Sequence, residues 1–500
     1  MSKCLYLAKG MLLAVMLSCA NLYAQDQIPF HTQKYSLDSR ATVQTLQATA
    51  QGTEDGQSGA RFEQVIQVPG ANWLRLEFGD HDLGESGYIV LTSSEDGGRQ
   101  RMDAGALVNY RNRSAFFNGD TVILQLFDQA GSADIFITVT DIYFGLPGDR
   151  EKAQPLQRPA LDQPHKQDAL VIQPEEICGS TDDRVAASVP RATGRFVFFD
   201  PANNYIAKCT AWIAAYGIHF SAGHCFQRVF EGDPELMEFD VPDSDANGDP
   251  NFADPEDQYP VDVANFDAVD DRNENGLGDD WAVFRVNANS NSGLRPIEGR
   301  NNYFHMAKPA DVSVPSITIS GYGIDTGTAN RTLQTDNGPY LGETGSGSVV
   351  YLEYQVDTRS GNSGGPVISG SASATPISLG IHSHAGCDAD NGNHGTSFEN
   401  NALESAAEAV GHEFVEGLMG RSFVDIRYVD AGHPIATTAE LGTMLRPYDT
   451  VTEAVNAVPS DGAVMIAPGD YSGPANTFVL GADGRSMFLV SPGGSVTIGN

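Results

Sequence analysis

A serine set between glycines is a way for a polypeptide to present a reactive hydroxyl. Ser363 has that setting, in Thr358-Arg359-Ser360-Gly361-Asn362-Ser363-Gly364-Gly365-Pro366. A serine attacks a carbonyl only if a neighbouring base removes its proton and fixed donors receive the charge that develops on the carbonyl oxygen. Gly361, having no side chain, lets the N–H groups of Gly361 and Ser363 converge on one point as an oxyanion hole requires. A polar loop is built from the same residue types, so the rest of the constellation matters. His224 supplies a base, in Phe220-Ser221-Ala222-Gly223-His224-Cys225. Asp279-Asp280 stands at the mouth of Trp281-Ala282-Val283-Phe284-Arg285-Val286, which alternates as a strand does. The chain order is therefore His, Asp, Ser.

These three motifs resemble those of the chymotrypsin-like serine proteases: a small-residue run ending in His-Cys, an Asp before an apolar strand, and Gly-x-Ser-Gly-Gly-Pro. The resemblance implies a triad of His224, Asp280 and Ser363. Asp279 competes for the aspartate role, but the register of the apolar strand favours Asp280. His219 competes with His224 without the Ala-Gly-His-Cys setting and reads as structural. Further runs, Gly179-Ser180-Thr181-Asp182-Asp183-Arg184, Thr318-Ile319-Ser320-Gly321-Tyr322, Val356-Asp357-Thr358, Gly380-Ile381-His382 and Asn393-His394-Gly395-Thr396, resemble landmarks of the bacterial glutamyl-endopeptidase (V8-like) branch. The likeness covers roughly residues 176 to 420.

The resemblance also frames specificity. Asp357 stands where trypsin-like enzymes keep the acid that binds Lys or Arg, whereas the glutamyl branch often has Asp-Thr there without that preference. In that branch a histidine of the pocket strand binds an acidic substrate side chain. His382, followed by Ser383, matches it, with Ser360 near at hand, so acidic P1 is favoured slightly over a basic one. Read without a family, His382 is a buried strand residue. Asn362 departs from the digestive enzymes, whose Asp before the serine pairs with a newly cut N-terminus. An asparagine carries no such charge.

The rest of the chain must position and export this apparatus. Residues 1–24 combine Lys3 and Lys9 with an apolar run from Met11 to Leu17 and end Leu22-Tyr23-Ala24, which reads as a signal peptide. A lipoprotein signal using Cys19 is a poorer match. The run is too short to span a membrane, so the mature chain is expected to be secreted, extracellular or periplasmic. With 30 Lys+Arg against 65 Asp+Glu and a net charge of −35, the protein repels nucleic acid and anionic membranes. The expected partners are protein or peptide substrates. Six cysteines fall to four once Cys4 and Cys19 leave. In an exported chain these suggest disulfides rather than zinc, since no Cys-x-x-Cys pair occurs. The protease resemblance implies Cys209 with Cys225, which leaves Cys178 for Cys387.

The expected fold class is mainly β. Residues 25–150 carry short strand-like runs (Trp73 to Phe78, Tyr88 to Thr92, Thr121 to Leu126, Asp134 to Val139) divided by Gly, Asp and Asn, the pattern of a β-sandwich acting as an accessory or pro-domain. Residues 151–175 are a Pro/Gln-rich linker exposed to processing. Residues 176–420 are expected to form a double antiparallel β-barrel protease domain closed by a helix from Ala402 to Leu418. Residues 421–500 resemble the opening of a pectin-lyase-like parallel β-helix, a segment too short to carry a lyase site and read as accessory. The outer domains are candidates for polysaccharide or surface binding.

No nucleotide, haem or flavin motif occurs, and no cofactor is required. The one metal candidate is structural calcium in Asp243-Ser244-Asp245-Ala246-Asn247-Gly248-Asp249 with Asp254. Its oxygen ligands alternate as in a calcium loop, but it lacks flanking helices and is interrupted by Pro242 and Pro250. A solvated acidic loop explains the same residues. The rival to a protease from another class is an inactive extracellular binding protein on the same fold. A third reading, a polysaccharide-acting enzyme, rests on the C-terminal segment alone.

Overall fold

The computed structural model describes residues 26–41, 60–128, 134–149, 154–155, 177–226, 233–270, 277–372, 376–387, 391–434, 440–477 and 484–499. The expected signal segment and most of the linker lie outside the described residues.

The run Phe196-Val197-Phe198-Phe199 is apolar without alternation because both of its faces are covered. It belongs to strand Thr193–Asp200, every residue of which is buried, as is every residue of its neighbour Tyr205–Ile213. Successive strand side chains point to opposite faces. Phe196 and Phe198 fill the interior of the first barrel, while Val197 and Phe199 enter a second core that belongs mainly to the N-terminal region.

That barrel is part of an eight-strand sheet ordered Gln154–Pro155, Asp26–Pro29, Tyr205–Ile213, Thr193–Asp200, Asp233–Glu238, Gln258–Val269, Trp281–Val286, His219–Ser221. The last strand also pairs with Tyr205–Ile213, closing a barrel of six antiparallel strands. Asp26–Pro29 adds an edge strand from the beginning of the described chain, with Ile28 opposite Ile206.

The second large sheet is ordered Val185–Ala186, Gln334–Gly338, Ile317–Gly321, Pro366–Ser369, Ile377–His384, Asn393–Ser397, Val349–Tyr354, Tyr340–Ser346. Gln334–Gly338 runs through Pro339 directly into Tyr340–Ser346 at the far end of that order, so the sheet curls back on itself. Helix Asn401–Met419 follows, capped by the Asn400 side chain, which accepts from the N–H groups of Ala402 and Leu403, and ended by Gly420 in the left-handed region. Its buried face, including Leu403, Val410, Phe414 and Val415, joins the core of the first barrel.

The N-terminal region is a sandwich of two four-stranded antiparallel sheets around one core. That core continues into the first barrel through Val197, Phe199, Ile206, Leu236 and Phe252. Phe30 stacks on Phe199 at 4.7 Å and Phe116 on Phe252 at 4.0 Å. A buried charge cluster crosses the same boundary, with Arg75 Nη2 2.9 Å and Arg113 Nη1 3.2 Å from Glu235 Oε1. At the other end, Ile426–Val429, Gly462–Ile466 and Met487–Val490 pair in parallel, as do Gly469–Ser472 and Val496–Gly499. Ile426, Tyr428, Met465 and Val490 of these strands pack into the first-barrel core.

Candidate active site

The histidine sits on the short turn Gly223–Cys225, directly after strand His219–Ser221. Gly223 lies so close to its neighbours that a Cβ there would stand 1.8 Å from Val269 O, which requires glycine before the histidine. The disulfide Cys209–Cys225 fixes the far end of the turn to the adjacent strand. Asp280, completely buried, stands opposite. Its Oδ2 lies 2.6 Å from His224 Nδ1, and its Oδ1 accepts from His224 N at 2.8 Å. With a carboxylate at Nδ1 the imidazole proton belongs on Nδ1, which leaves Nε2 as the basic nitrogen.

Asp280 is itself held from the second sheet, by Thr396 of strand Asn393–Ser397. Thr396 Oγ1 donates to Asp280 O at 2.8 Å and lies 3.2 Å from Asp280 N. The competing Asp279 is engaged elsewhere, accepting from Trp281 Nε1 at 3.0 Å.

Ser363 lies in the loop before strand Pro366–Ser369 of the second sheet, and its main chain docks on the first barrel. Thr210 N donates to Ser363 O at 2.9 Å, and Cys225 Sγ lies 4.0 Å from the same oxygen. Thr210 Oγ1 donates to Gly361 O at 2.6 Å. Gly361 has φ +100°, a conformation only glycine adopts without strain. Sequence reasoning missed Thr210 and did not assign Thr396 a role, because neither carries chemistry of its own; each acts by holding a backbone that only the fold brings near.

The pocket strand Ile377–His384 joins the serine loop through His382 N to Gly365 O and Gly364 N to His382 O, both 2.8 Å. His382 is fully buried with Nδ1 2.7 Å from Tyr354 Oη. Ser383 Oγ lies 2.9 Å from His384 Nδ1, and that same nitrogen lies 4.0 Å from Asp280 Oδ2. His394 faces His384 across the sheet, and burial holds its pKa below the usual histidine value, with Glu353 opposing. Neither Tyr354 nor His384 was singled out from sequence. Ser360 is half-buried beside the exposed Arg359.

Asp357 is oriented into the protein. Its Oδ1 accepts from Cys178 N at 2.6 Å and its Oδ2 from Asp183 N at 2.7 Å. Burial pushes its carboxyl pKa up, and these two N–H groups oppose the rise. The Cys178–Cys387 disulfide ties the same segment to the end of the pocket strand.

In the proposed calcium loop, Asp245 Oδ1 accepts from the N–H groups of Asn247 and Asp249, and Asp249 Oδ2 accepts from Gly148 N at 2.6 Å. Among the described residues, no three of Asp243, Asp245, Asp249 and Asp254 bring carboxylate oxygens within 4.8 Å of one another. The Asn247 side-chain amide lies 3.5 Å from Asp245 Oδ2. Asp245 and Asp249 thus direct these oxygens to main-chain N–H donors.

His219, on the strand that precedes the His224 turn, is buried in the first barrel with its ring 5.5 Å from that of Phe284. Burial pulls its pKa to about 3. The unfolded chain, with an ordinary value near ~6.5, therefore takes up the proton first. The stabilisation from a neutral His219 is complete above about 6.5 and is lost as pH falls toward the folded value, on the order of a few kcal/mol by the acid end. In urea unfolding between pH 7 and pH 4, His219→Gln is expected to flatten the acid loss of stability. Parallel curves for the two proteins would show that His219 is not the group responsible.

Residues 196–401 match the family model described as Trypsin. No curated protein matches the chain. Among solved structures, the chain is similar to a thermostable serine protease AL20 from an extremophilic microorganism (17% identity, 44% of this chain and 97% of that one, TM-score 0.34). It is similar also to a Glu endopeptidase in complex with MPD (19%, 47% and 100%, 0.34) and to the protease Anisep from Arthrobacter nicotinovorans (16%, 46% and 99%, 0.35). Residues 196–401 of this chain are thus similar to the trypsin-like serine proteases.

Proposed function

We propose that this protein is a secreted serine endopeptidase that cuts peptide bonds through His224, Asp280 and Ser363, with an acidic side chain preferred at P1. The observation that carries the reading is the buried Asp280 carboxylate bound to both Nδ1 and the main-chain N–H of His224. It fixes the ring and its tautomer and leaves Nε2 to act as the base. In the reaction, Ser363 Oγ attacks the carbonyl carbon while His224 takes its proton. The carbonyl oxygen becomes an oxyanion facing the N–H groups of Gly361 and Ser363. His224 then returns the proton to the leaving amine, giving an acyl-enzyme, and a water molecule activated by His224 releases the acid and restores the serine. The two disulfides agree with an oxidising compartment, and no described helix is long and apolar enough to cross a membrane.

Two features support the acidic preference. Asp357, the residue that would attract Lys or Arg, has its oxygens bound to main-chain N–H groups. His382, on the strand next to the serine loop, has Nδ1 2.7 Å from Tyr354 Oη, a contact that fixes the orientation of its ring beside that loop. The parallel-stranded C-terminal segment reads as an accessory module packed on the protease barrel.

The test is digestion of a mixed peptide library with cleavage sites read by mass spectrometry. The wild-type protein is expected to cut, and Ser363→Ala is not. His382→Asn is expected to lower kcat/KM after Glu and Asp by about 10- to 100-fold, the factor for one hydrogen bond to a charged group, with little change after neutral residues. Cuts chiefly after Lys and Arg would return the specificity role to Asp357. A wild-type protein no more active than Ser363→Ala would make the inactive binding protein the better reading.

A further inference from the structure

In a trans peptide the C=O of one residue and the N–H of the next point in opposite directions. The direction of the Gly361 N–H is therefore set by whatever holds Ser360 O, and that of the Ser363 N–H by whatever holds Asn362 O. Asn362 O is held locally, accepting from Gly365 N at 2.8 Å. Ser360 O accepts from two distant donors, Ile324 N at 2.8 Å and Arg331 Nη1 at 3.1 Å. Arg331 is only 1% exposed, and its Nη1 also lies 3.2 Å from Lys208 O and 3.5 Å from Tyr322 O. The guanidinium thus joins a strand of the first barrel to the serine loop.

Arg331 is in turn held at both ends of its own backbone. Its N–H donates to Gly323 O at 3.1 Å, and its carbonyl accepts from Arg195 Nη1 at 3.2 Å. Arg195 is fixed by Glu238 at 2.8 Å, with both side chains fully buried. The fit against the loop is close: a Cβ on residue 361 would stand 1.8 Å from Arg331 Nη1. The residue between the two hole-forming N–H groups supplies no charge to this assembly. Asn362 Oδ1 accepts only a neutral main-chain N–H that the structure resolves, from Arg359 at 3.0 Å.

We propose that Arg331 is a positioning residue: it holds the Ser360–Gly361 peptide so that the Gly361 N–H faces the oxyanion, keeping the hole formed in a chain with an asparagine at 362. The inference rests on the serine-protease reading. Arg331 does not touch substrate, so its removal acts on the transition state and leaves ground-state binding intact.

The experiment compares Arg331→Met with the wild type on one cleavable peptide and on a peptide boronate, whose tetrahedral adduct places an oxygen at the hole. Losing one oxyanion donor outright costs ~10²–10³ in kcat. Because Ile324 N still holds the carbonyl, Arg331→Met is expected to lose roughly 10- to 100-fold in kcat, with KM moving less than about threefold. Boronate affinity is expected to fall by a similar factor. Arg75→Met, which removes a buried arginine of the sandwich, is expected to lower Tm and leave kcat unchanged, separating positioning from general loss of stability. Should Arg331→Met not fold, Arg331→Lys carries the test, with a loss of about tenfold in kcat expected because one ammonium cannot span the same carbonyls. Wild-type kcat and boronate affinity in the folded variant overturn the inference. A wild-type protein that neither cuts nor reacts with the boronate instead overturns the protease reading beneath it.

Discussion

Ser363→Ala is expected to lower kcat by about a millionfold, the loss seen when the nucleophile of such a triad is removed. The size follows from the parts acting as one unit: with no Oγ, the proton acceptor at His224 and the carboxylate behind it have nothing to activate. The variant should still fold, because the contacts that seat this residue are main-chain ones, Thr210 N to Ser363 O and the Gly364 and His382 pairings on either side of it. KM is expected to stay near the wild-type value, and slow hydrolysis, ~10³–10⁴ above the rate in water, should persist through the oxyanion hole and substrate binding. Single-turnover assays with excess enzyme can read a loss of this size. A residual rate within tenfold of wild type would place the chemistry at another group.

Asp280→Asn is expected to cost about ten-thousandfold in kcat while changing the fold hardly at all. The geometry dictates why. His224 N donates to Asp280 Oδ1, so an asparagine must turn its carbonyl oxygen toward that N–H. Its NH₂ then faces His224 Nδ1, which has to become an acceptor. The ring proton moves to Nε2, the nitrogen that must accept the serine proton, and the base is lost although every heavy atom keeps its place. Proton NMR offers an independent check: the downfield Nδ1 proton of the wild type should vanish in the variant. Retention of that signal with full activity would mean that Asp280 does not orient the ring.

Much of the fold was legible because it is written in local patterns. Short strands divided by turn residues gave the mainly β class, and the helix expected from Ala402 to Leu418 runs Asn401–Met419. Other features depend on chain segments far apart in sequence. The apolar run at Phe196 reads as one buried strand, but its two faces belong to different cores, one of the barrel and one shared with the sandwich. The acidic loop has the spacing of a calcium loop, and spacing carries no information about which N–H donors its carboxylates will meet.

The site divides along the same line. The sequence by itself determined which groups are present and in what order: a histidine before cysteine, an aspartate before an apolar strand, a serine among glycines, and cysteines free to pair. It could do so because reactivity and backbone freedom are properties of residue type and near neighbours. Only the tertiary structure decided their relations. Asp280 rather than Asp279 faces His224, since Trp281 takes the latter. Asp357 turns inward to the N–H groups of Cys178 and Asp183. Arg331, which no motif marks, lies under the serine loop. Hydrogen bonds and charges act over a few ångströms of space, and the distance along the chain between two such groups says nothing of whether they will meet.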